Sequence, residues 1–358
     1  MSNTALSRLR PEISKLQAYG VPDASGFVKL DAMENPYTWP GELRSQWLEI
    51  LADVQVNRYP EPNPDTLKQK LKLQFGPSNE CGFLFGNGSD ELIQLLAMAI
   101  AKPGASILTV SPSFSMYQMI SDFVGIDCHV VELTEEFELN VDATIEVINH
   151  YDPSLVFLAY PNNPTGNLWV RDDVLTIIQS CKGIVVIDEA YGPFASDSFS
   201  EELQNFPNMV LLRTASKIGL AGIRFGWLAG AIELINELNK LRLPYNINSL
   251  TQLTIEFALD NFQLFKQQAL QIQESRQTLF DRLSRMEGVR PYKSEANFIL
   301  FKLLSHNAND IYKRLLVEKV LIKNLSQQAG LSQCLRVTVG TEQENTEFCR
   351  ALERALVG

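Results

Sequence analysis

A chain of 358 residues, 45% hydrophobic and 20% charged, has the apolar content for a large core and the length for about two domains. Its 31 basic and 42 acidic residues leave a formal charge of -11, a field that repels nucleic acid and anionic membranes. Any phosphate must then be captured by local contacts, and the expected partners are small molecules.

The stretch from 1 to 45 is rich in Pro and Gly and weakly periodic, which fits an arm lying over the surface. Its first residues, Met1 to Arg8, lack the apolar core of a signal peptide, and no run in the chain approaches the ~20 apolar residues that span a bilayer. A cytoplasmic protein is therefore expected. Residues 46 to 245 read as one large α/β domain. Short apolar runs recur there at Ala105 to Val110, Ser154 to Ala159, Gly183 to Ile187 and Met209 to Arg213, separated by helix-length stretches. Continuous rather than alternating hydrophobicity marks strands buried on both faces, hence a mostly parallel sheet flanked by helices. From 246 to 358 the pattern changes to long helical stretches over 250 to 286, then apolar runs at Asn297 to Phe301 and Leu335 to Val339. That pattern predicts a smaller α+β C-terminal domain.

The five cysteines, Cys81, Cys128, Cys181, Cys334 and Cys349, are odd in number and show no C-x-x-C spacing, which argues against disulfides and a thiolate metal site. His129, His150 and His306 fall in no motif, so neither a metal nor histidine catalysis is expected.

The candidate chemistry sits where apolar runs end, the place at which α/β sheets hold ligands. Gly86-Asn87-Gly88-Ser89-Asp90-Glu91 precedes an apolar helix. Glycines allow a tight turn and leave N–H groups facing an anion, although a helix start capped by Ser89 or Asp90 would read the same way. Tyr160-Pro161-Asn162-Asn163-Pro164-Thr165-Gly166 forms a rigid loop after a buried strand and presents asparagine side chains. Asp188 ends the third run, and a carboxylate there is costly unless it meets a cation. Lys217 follows in Ala215-Ser216-Lys217-Ile218-Gly219-Leu220-Ala221-Gly222-Ile223-Arg224, with Thr214, Ser216 and Arg224 suited to a phosphate dianion. A lysine and an acid so placed suggest pyridoxal phosphate, which needs an amine to hold its aldehyde as a Schiff base and a carboxylate to keep its ring nitrogen protonated.

The ordered motifs G-N-G-S-D-E, P-N-N-P-T-G, D-E-A-Y and S-K-x-x-x-L-A-G-x-R-x-G, with Arg58-Tyr59-Pro60 and the arm segment Lys29-Leu30-Asp31-Ala32-Met33-Glu34-Asn35-Pro36-Tyr37, resemble fold-type I pyridoxal-phosphate aminotransferases over nearly the whole chain. Within them the arm and Leu335-Arg336-Val337-Thr338-Val339 resemble the histidinol-phosphate aminotransferase family. The resemblance implies that Lys217 carries the cofactor, Asp188 pairs with its ring nitrogen, and Asn163 and Tyr191 bind its 3′ oxygen. It places Gly88, Ser89, Asp90, Thr214, Ser216 and Arg224 around the phosphate, joined by Tyr59 from the neighbouring subunit of a homodimer. Phe114 matches the ring that stacks on the cofactor, a position often Tyr in the family. Arg336 matches the arginine that grips the substrate's anionic end, with Lys323, Tyr19 and Asn35 as further substrate contacts. Lys323 stands where the family often has a second arginine, giving a point charge instead of a planar fork.

The implied activity is amine exchange between L-histidinol phosphate and 2-oxoglutarate in histidine biosynthesis. Aromatic aminotransferases and threonine-phosphate decarboxylases share the scaffold, and glutamate formation against carbon dioxide release separates transamination from decarboxylation. A pyridoxal-sensing regulator would need an appended basic DNA-binding domain, for which this acidic chain has no room.

Overall fold

The computed structural model describes residues 5 to 357 except 12, 17, 19, 21 and 77 to 80. In chain order, strand β1 (Val28–Lys29) is followed by helices α1 (Gly41–Ala52) and α2 (Asp65–Phe75), strand β2 (Gly82–Gly86), helix α3 (Ser89–Ile100) and strand β3 (Ser106–Ser111). Then come α4 (Met116–Val124), β4 (Asp127–Glu132), α5 (Val141–Tyr151), β5 (Leu155–Ala159), α6 (Arg171–Ser180), β6 (Ile184–Asp188), β7 (Met209–Thr214), β8 (Gly226–Gly230) and α7 (Ile232–Asn239). The remainder is α8 (Ser249–Asp260), α9 (Phe262–Ser284), β9 (Val289–Pro291), β10 (Phe298–Leu303), α10 (Ala308–Val317), β11 (Val320–Leu321), β12 (Lys323–Asn324), β13 (Cys334–Thr338) and α11 (Glu342–Val357).

Seven strands form the large sheet in the order β2-β8-β7-β6-β5-β3-β4. The pairs from β7 through to β4 are parallel, whereas β8 runs antiparallel to both β7 and β2. The four continuous apolar runs are β3, β5, β6 and β7, and every residue of β5 is buried. The reason is visible in the packing. Leu108, Val156, Val185 and Leu211 meet α5 and α6 on one face, and Ile107, Phe157, Val186 and Val210 meet α3 and α4 on the other. With helices on both faces, the middle of each strand is buried on both sides, and its residues there are mostly apolar.

The second sheet has four antiparallel strands in the order β12-β13-β10-β9, packed on α9, α10 and α11 around Phe298, Phe301 and Phe348. The arm joins this body. β1 pairs in parallel with β11, Leu30 is buried in its core, and the Met33 N–H donates to Thr338 Oγ1 at 3.0 Å.

Candidate active site

Lys217 lies in a tight turn, Ser216–Leu220, that begins two residues after β7 ends. The turn depends on Gly219, whose φ of 114° is outside the range of an L side chain. Asn35 holds it from the arm, donating through Nδ2 to the Ile218 carbonyl at 3.0 Å and to Gln268 Oε1 at 3.0 Å, while its Oδ1 accepts from the Tyr37 N–H at 2.9 Å. All the polar atoms of the Asn35 amide are therefore engaged within the protein, and it does not line the cavity. The Lys217 ammonium donates to the Ala32 carbonyl at 3.4 Å and stands 5.6 Å from the Tyr191 ring centroid. Burial, and after it the Arg336 guanidinium, lowers its pKa to about 8.

Asp188 ends β6 and is 4% exposed. Tyr117 donates its O–H to Asp188 Oδ2 at 2.7 Å, and the Ala190 N–H donates to Oδ1 at 3.0 Å. Burial outweighs both bonds and raises the carboxyl pKa to about 6. It has no cationic partner among the described residues. Tyr117 has no signal in the sequence, because Phe114 precedes α4 and the three-residue spacing therefore puts the two on no common helix face. The Phe114 ring meets that of Tyr117 edge-to-face at 5.5 Å.

The two asparagines after β5 do different work. Asn162 is fully buried and ties the loop together through Pro112, Ser113 and Thr165. Asn163 turns the other way, donating through Nδ2 to the Tyr191 hydroxyl at 3.2 Å and accepting from Arg336 Nη1. Burial holds the Tyr191 phenol above its ordinary pKa. Arg336, 6% exposed on β13, also donates through Nη2 to the Asp31 carbonyl at 3.0 Å and lies over the Phe298 ring at 5.1 Å.

At the start of α3 the cap position is Gly88, with φ 85° and no side-chain cap, so the alternative of Ser89 or Asp90 as N-cap is not what the chain adopts. Glu91 instead reaches back to the N–H and amide of Asn87. A Cβ on Gly88 would lie 2.6 Å from Arg224 Nη2, so only glycine lets the guanidinium rest on the turn. Thr214 Oγ1 donates to Ser216 Oγ at 2.9 Å and accepts from the Ser216 N–H at 3.1 Å, which fixes both hydroxyls beside it. Arg224 faces Asp90 at 3.7 Å, with about half of each side chain exposed.

These elements enclose a cavity of about 230 Å3. Ser89, Asp90, Phe114, Asn163, Asp188, Tyr191, Thr214, Ser216, Lys217 and Arg224 all line it, as do Ala32, Met33 and Glu34 of the arm. Glu34, part of the arm motif, is a lining residue to which the motif assigns no role. Lys323 does not line the cavity but stands directly opposite Arg336 in the β12–β13 ladder, where facing Cβ atoms lie about 5 Å apart. Tyr59 is 80% exposed and stacked on Tyr245, away from this chain's cavity. Tyr19 lies outside the described residues. No cluster of His, Cys, Asp and Glu suited to a metal occurs among the described residues, and no described helix is long and apolar enough to cross a membrane.

Comparison with known proteins bears on this cavity. The family described as aminotransferase class I and II matches residues 25–352. Histidinol-phosphate aminotransferase 2 of Nitrosococcus oceani is 47% identical over 346 residues, 96% of each chain, and the histidinol-phosphate aminotransferase of Vesicomyosocius okutanii is 47% identical over 97% of this chain and 98% of that one. Among solved structures, the Sinorhizobium meliloti histidinol-phosphate aminotransferase in complex with pyridoxal-5′-phosphate shares the fold with a TM-score of 0.87 at 22% identity, covering 99% of both chains. The L-threonine-O-3-phosphate decarboxylase of Porphyromonas gingivalis shares it with a TM-score of 0.77 at 23% identity, covering 92% of this chain and 99% of that one. A lysine and a buried carboxylate on one cavity, reached by two alignments that span almost every residue, place the chain in the pyridoxal-phosphate-dependent class I and II aminotransferases, and within them in the histidinol-phosphate aminotransferase family.

Proposed function

We propose that the protein transfers the amino group of L-histidinol phosphate to 2-oxoglutarate, giving imidazole acetol phosphate and glutamate, as a cytoplasmic homodimer. The observation that carries the substrate assignment is the pairing of Arg336 with Lys323 on adjacent strands, Arg336 being held against Asn163 of the Lys217 cavity although neither cation lines that cavity itself. One substrate ends in a carboxylate and the other in a phosphate, and a guanidinium fork beside an ammonium serves both in turn.

The residues present fit pyridoxal phosphate. Asp188 is a buried carboxylate with no cation among the described residues, a cost that a protonated ring nitrogen removes. Thr214, Ser216, Arg224 and the N–H groups at Ser89 and Asp90 would hold the phosphate, and Phe114 would stack on the ring. When bound, the cofactor supplies an aldehyde for amines and an electron-withdrawing ring for the carbon beside the transferred nitrogen. Asn163 and Tyr191, joined by the bond from Asn163 Nδ2 to the Tyr191 hydroxyl, would hold its 3′ oxygen. Lys217, whose pKa burial lowers to about 8, would act as the general base that accepts the proton of the substrate's α-carbon. Arg336 would position that carbon by gripping the anionic end, and the arm residues Met33 and Glu34 form part of the cavity wall.

Support for the dimer comes from Tyr59 and Tyr245, 80% and 41% exposed, which stack at 4.5 Å and present an aromatic pair to solvent from a single chain. In the dimer, Tyr59 of the partner subunit completes the phosphate site. Borohydride reduction of the purified enzyme followed by peptide mapping tests the cofactor assignment: modification is expected at Lys217 and at no other lysine.

A further inference from the structure

One acidic side chain in the wall of the Lys217 cavity is not engaged by the cofactor site. The groups that would hold the cofactor account for every polar side chain lining the cavity except Tyr117, Asp90 and Glu34. Tyr117 spends its hydroxyl on Asp188, and Asp90 faces Arg224. Glu34 remains. Its Oε2 accepts from Lys29, whereas its Oε1 accepts from no described residue, and half of the side chain is exposed. Its charge reaches Lys217, where it partly offsets the lowering of the lysine pKa by burial and Arg336.

The arm fixes Glu34 from both sides. Met33, before it, is held at φ 54° by two bonds to the body of the small sheet, its N–H donating to Thr338 Oγ1 at 3.0 Å and its carbonyl accepting from Asn297 Nδ2 at 2.9 Å. Left-handed backbone is costly for such a side chain and persists only where its surroundings impose it. Met33 Sδ accepts from the Tyr191 hydroxyl at 3.3 Å, and Asn35, after Glu34, is bound to the Ile218 carbonyl. Earlier on the same segment the Asp31 carbonyl accepts from Arg336. At most about 11 Å of chain therefore separates the point that holds the anion-gripping guanidinium from the unengaged carboxylate, so both ends of one substrate meet the same segment.

We infer that Glu34 accepts a hydrogen bond from the imidazole N–H of the substrate and so selects that ring, an inference that rests on L-histidinol phosphate being the amino donor. Imidazole always carries one N–H and on protonation gains a second together with a positive charge, whereas a phenyl ring offers no donor. With glutamate, whose side chain ends in a carboxylate, the Lys29 ammonium offsets the Glu34 charge.

L-Histidinol phosphate and L-phenylalaninol phosphate, which differ only in the ring, are compared as amino donors to 2-oxoglutarate with the holoenzyme and its Glu34→Gln and Glu34→Leu variants. The parent should favour the imidazole substrate, more strongly as pH falls through an imidazole pKa of about 6.5. Glu34→Leu should lower the ratio of the two kcat/KM values about tenfold, mainly by raising KM for histidinol phosphate; that is the low end for a charge-assisted bond, as suits a half-exposed carboxylate. Glu34→Gln keeps an accepting oxygen without the charge, and should keep part of the ratio but lose its rise in acid. A ratio unchanged in both variants, or a parallel fall for both substrates, would overturn the role of Glu34 and leave the substrate assignment standing. A parent enzyme that forms no glutamate from histidinol phosphate would overturn the assignment itself, and this inference with it.

Discussion

Arg336, on the small sheet, donates a hydrogen bond to Asn163, in the loop that follows β5 of the large sheet. The side chain expected to grip the substrate is thereby tied to the asparagine that positions Tyr191, so substrate binding and cofactor positioning depend on one contact. Arg336→Ala should lower kcat/KM for glutamate and for histidinol phosphate alike, by roughly ten- to a hundredfold. Arg336→Lys should rescue little, because one ammonium cannot span Asn163 and the Asp31 carbonyl as the two guanidinium nitrogens do. Lys323→Ala, across the ladder, should impair the phosphorylated substrate more than glutamate. Single-turnover measurement of each half-reaction separates these outcomes.

Tyr117 is predicted to set the acid limb of the pH profile. Its O–H bond to Asp188 opposes the effect of burial, so removing it shifts the carboxyl pKa upward. In Tyr117→Phe the ring can keep its stacking on Phe157, and the fall in kcat/KM on acidification should begin at higher pH than in the parent enzyme. A coincident acid limb would remove Tyr117 from the account.

The large-sheet strands β3, β5, β6 and β7 were legible because burial on both faces leaves an unbroken apolar run. β8 was not: only Trp227, Leu228 and Ala229 separate Gly226 from Gly230, and glycines weaken any strand signal. Their reason is steric, since a Cβ on Gly226 would lie 2.7 Å from the Gly88 carbonyl carbon. β4 was hidden by its polar content, Asp127-Cys128-His129 among it, as suits a sheet edge. The motifs at the strand ends together named most of the cavity, because the residues at adjacent strand ends converge. The Tyr117 contact and the inward use of Asn35 are tertiary facts that spacing does not encode.

In the apoenzyme, reaction of Lys217 with an amine-directed acylating reagent should follow its neutral fraction. A pKa lowered to about 8 means that the rate rises with pH up to about 8 and levels above it. A solvated lysine would keep gaining reactivity to about pH 10.4. Mass spectrometry of the Lys217 peptide across that range distinguishes the two curves.

Tyr59 and Lys217 are predicted to act in one site from different subunits. Tyr59→Phe or Lys217→Ala alone should impair or abolish turnover, and mixing two inactive variants at these positions should restore activity as heterodimers holding one complete site form. Absence of recovery after demonstrated subunit exchange would contradict a shared site.

The central claim is that Arg336 and Lys323 select a phosphate monoester at the Lys217 cavity. Steady-state glutamate formation from 2-oxoglutarate, compared for L-histidinol phosphate, L-histidinol, phenylalanine and threonine phosphate, tests it most directly. The account predicts that histidinol phosphate has the highest kcat/KM, with histidinol lower by roughly ten- to a hundredfold for want of the charge-assisted contacts. Equal turnover of histidinol and its phosphate, or a preference for phenylalanine, would contradict it.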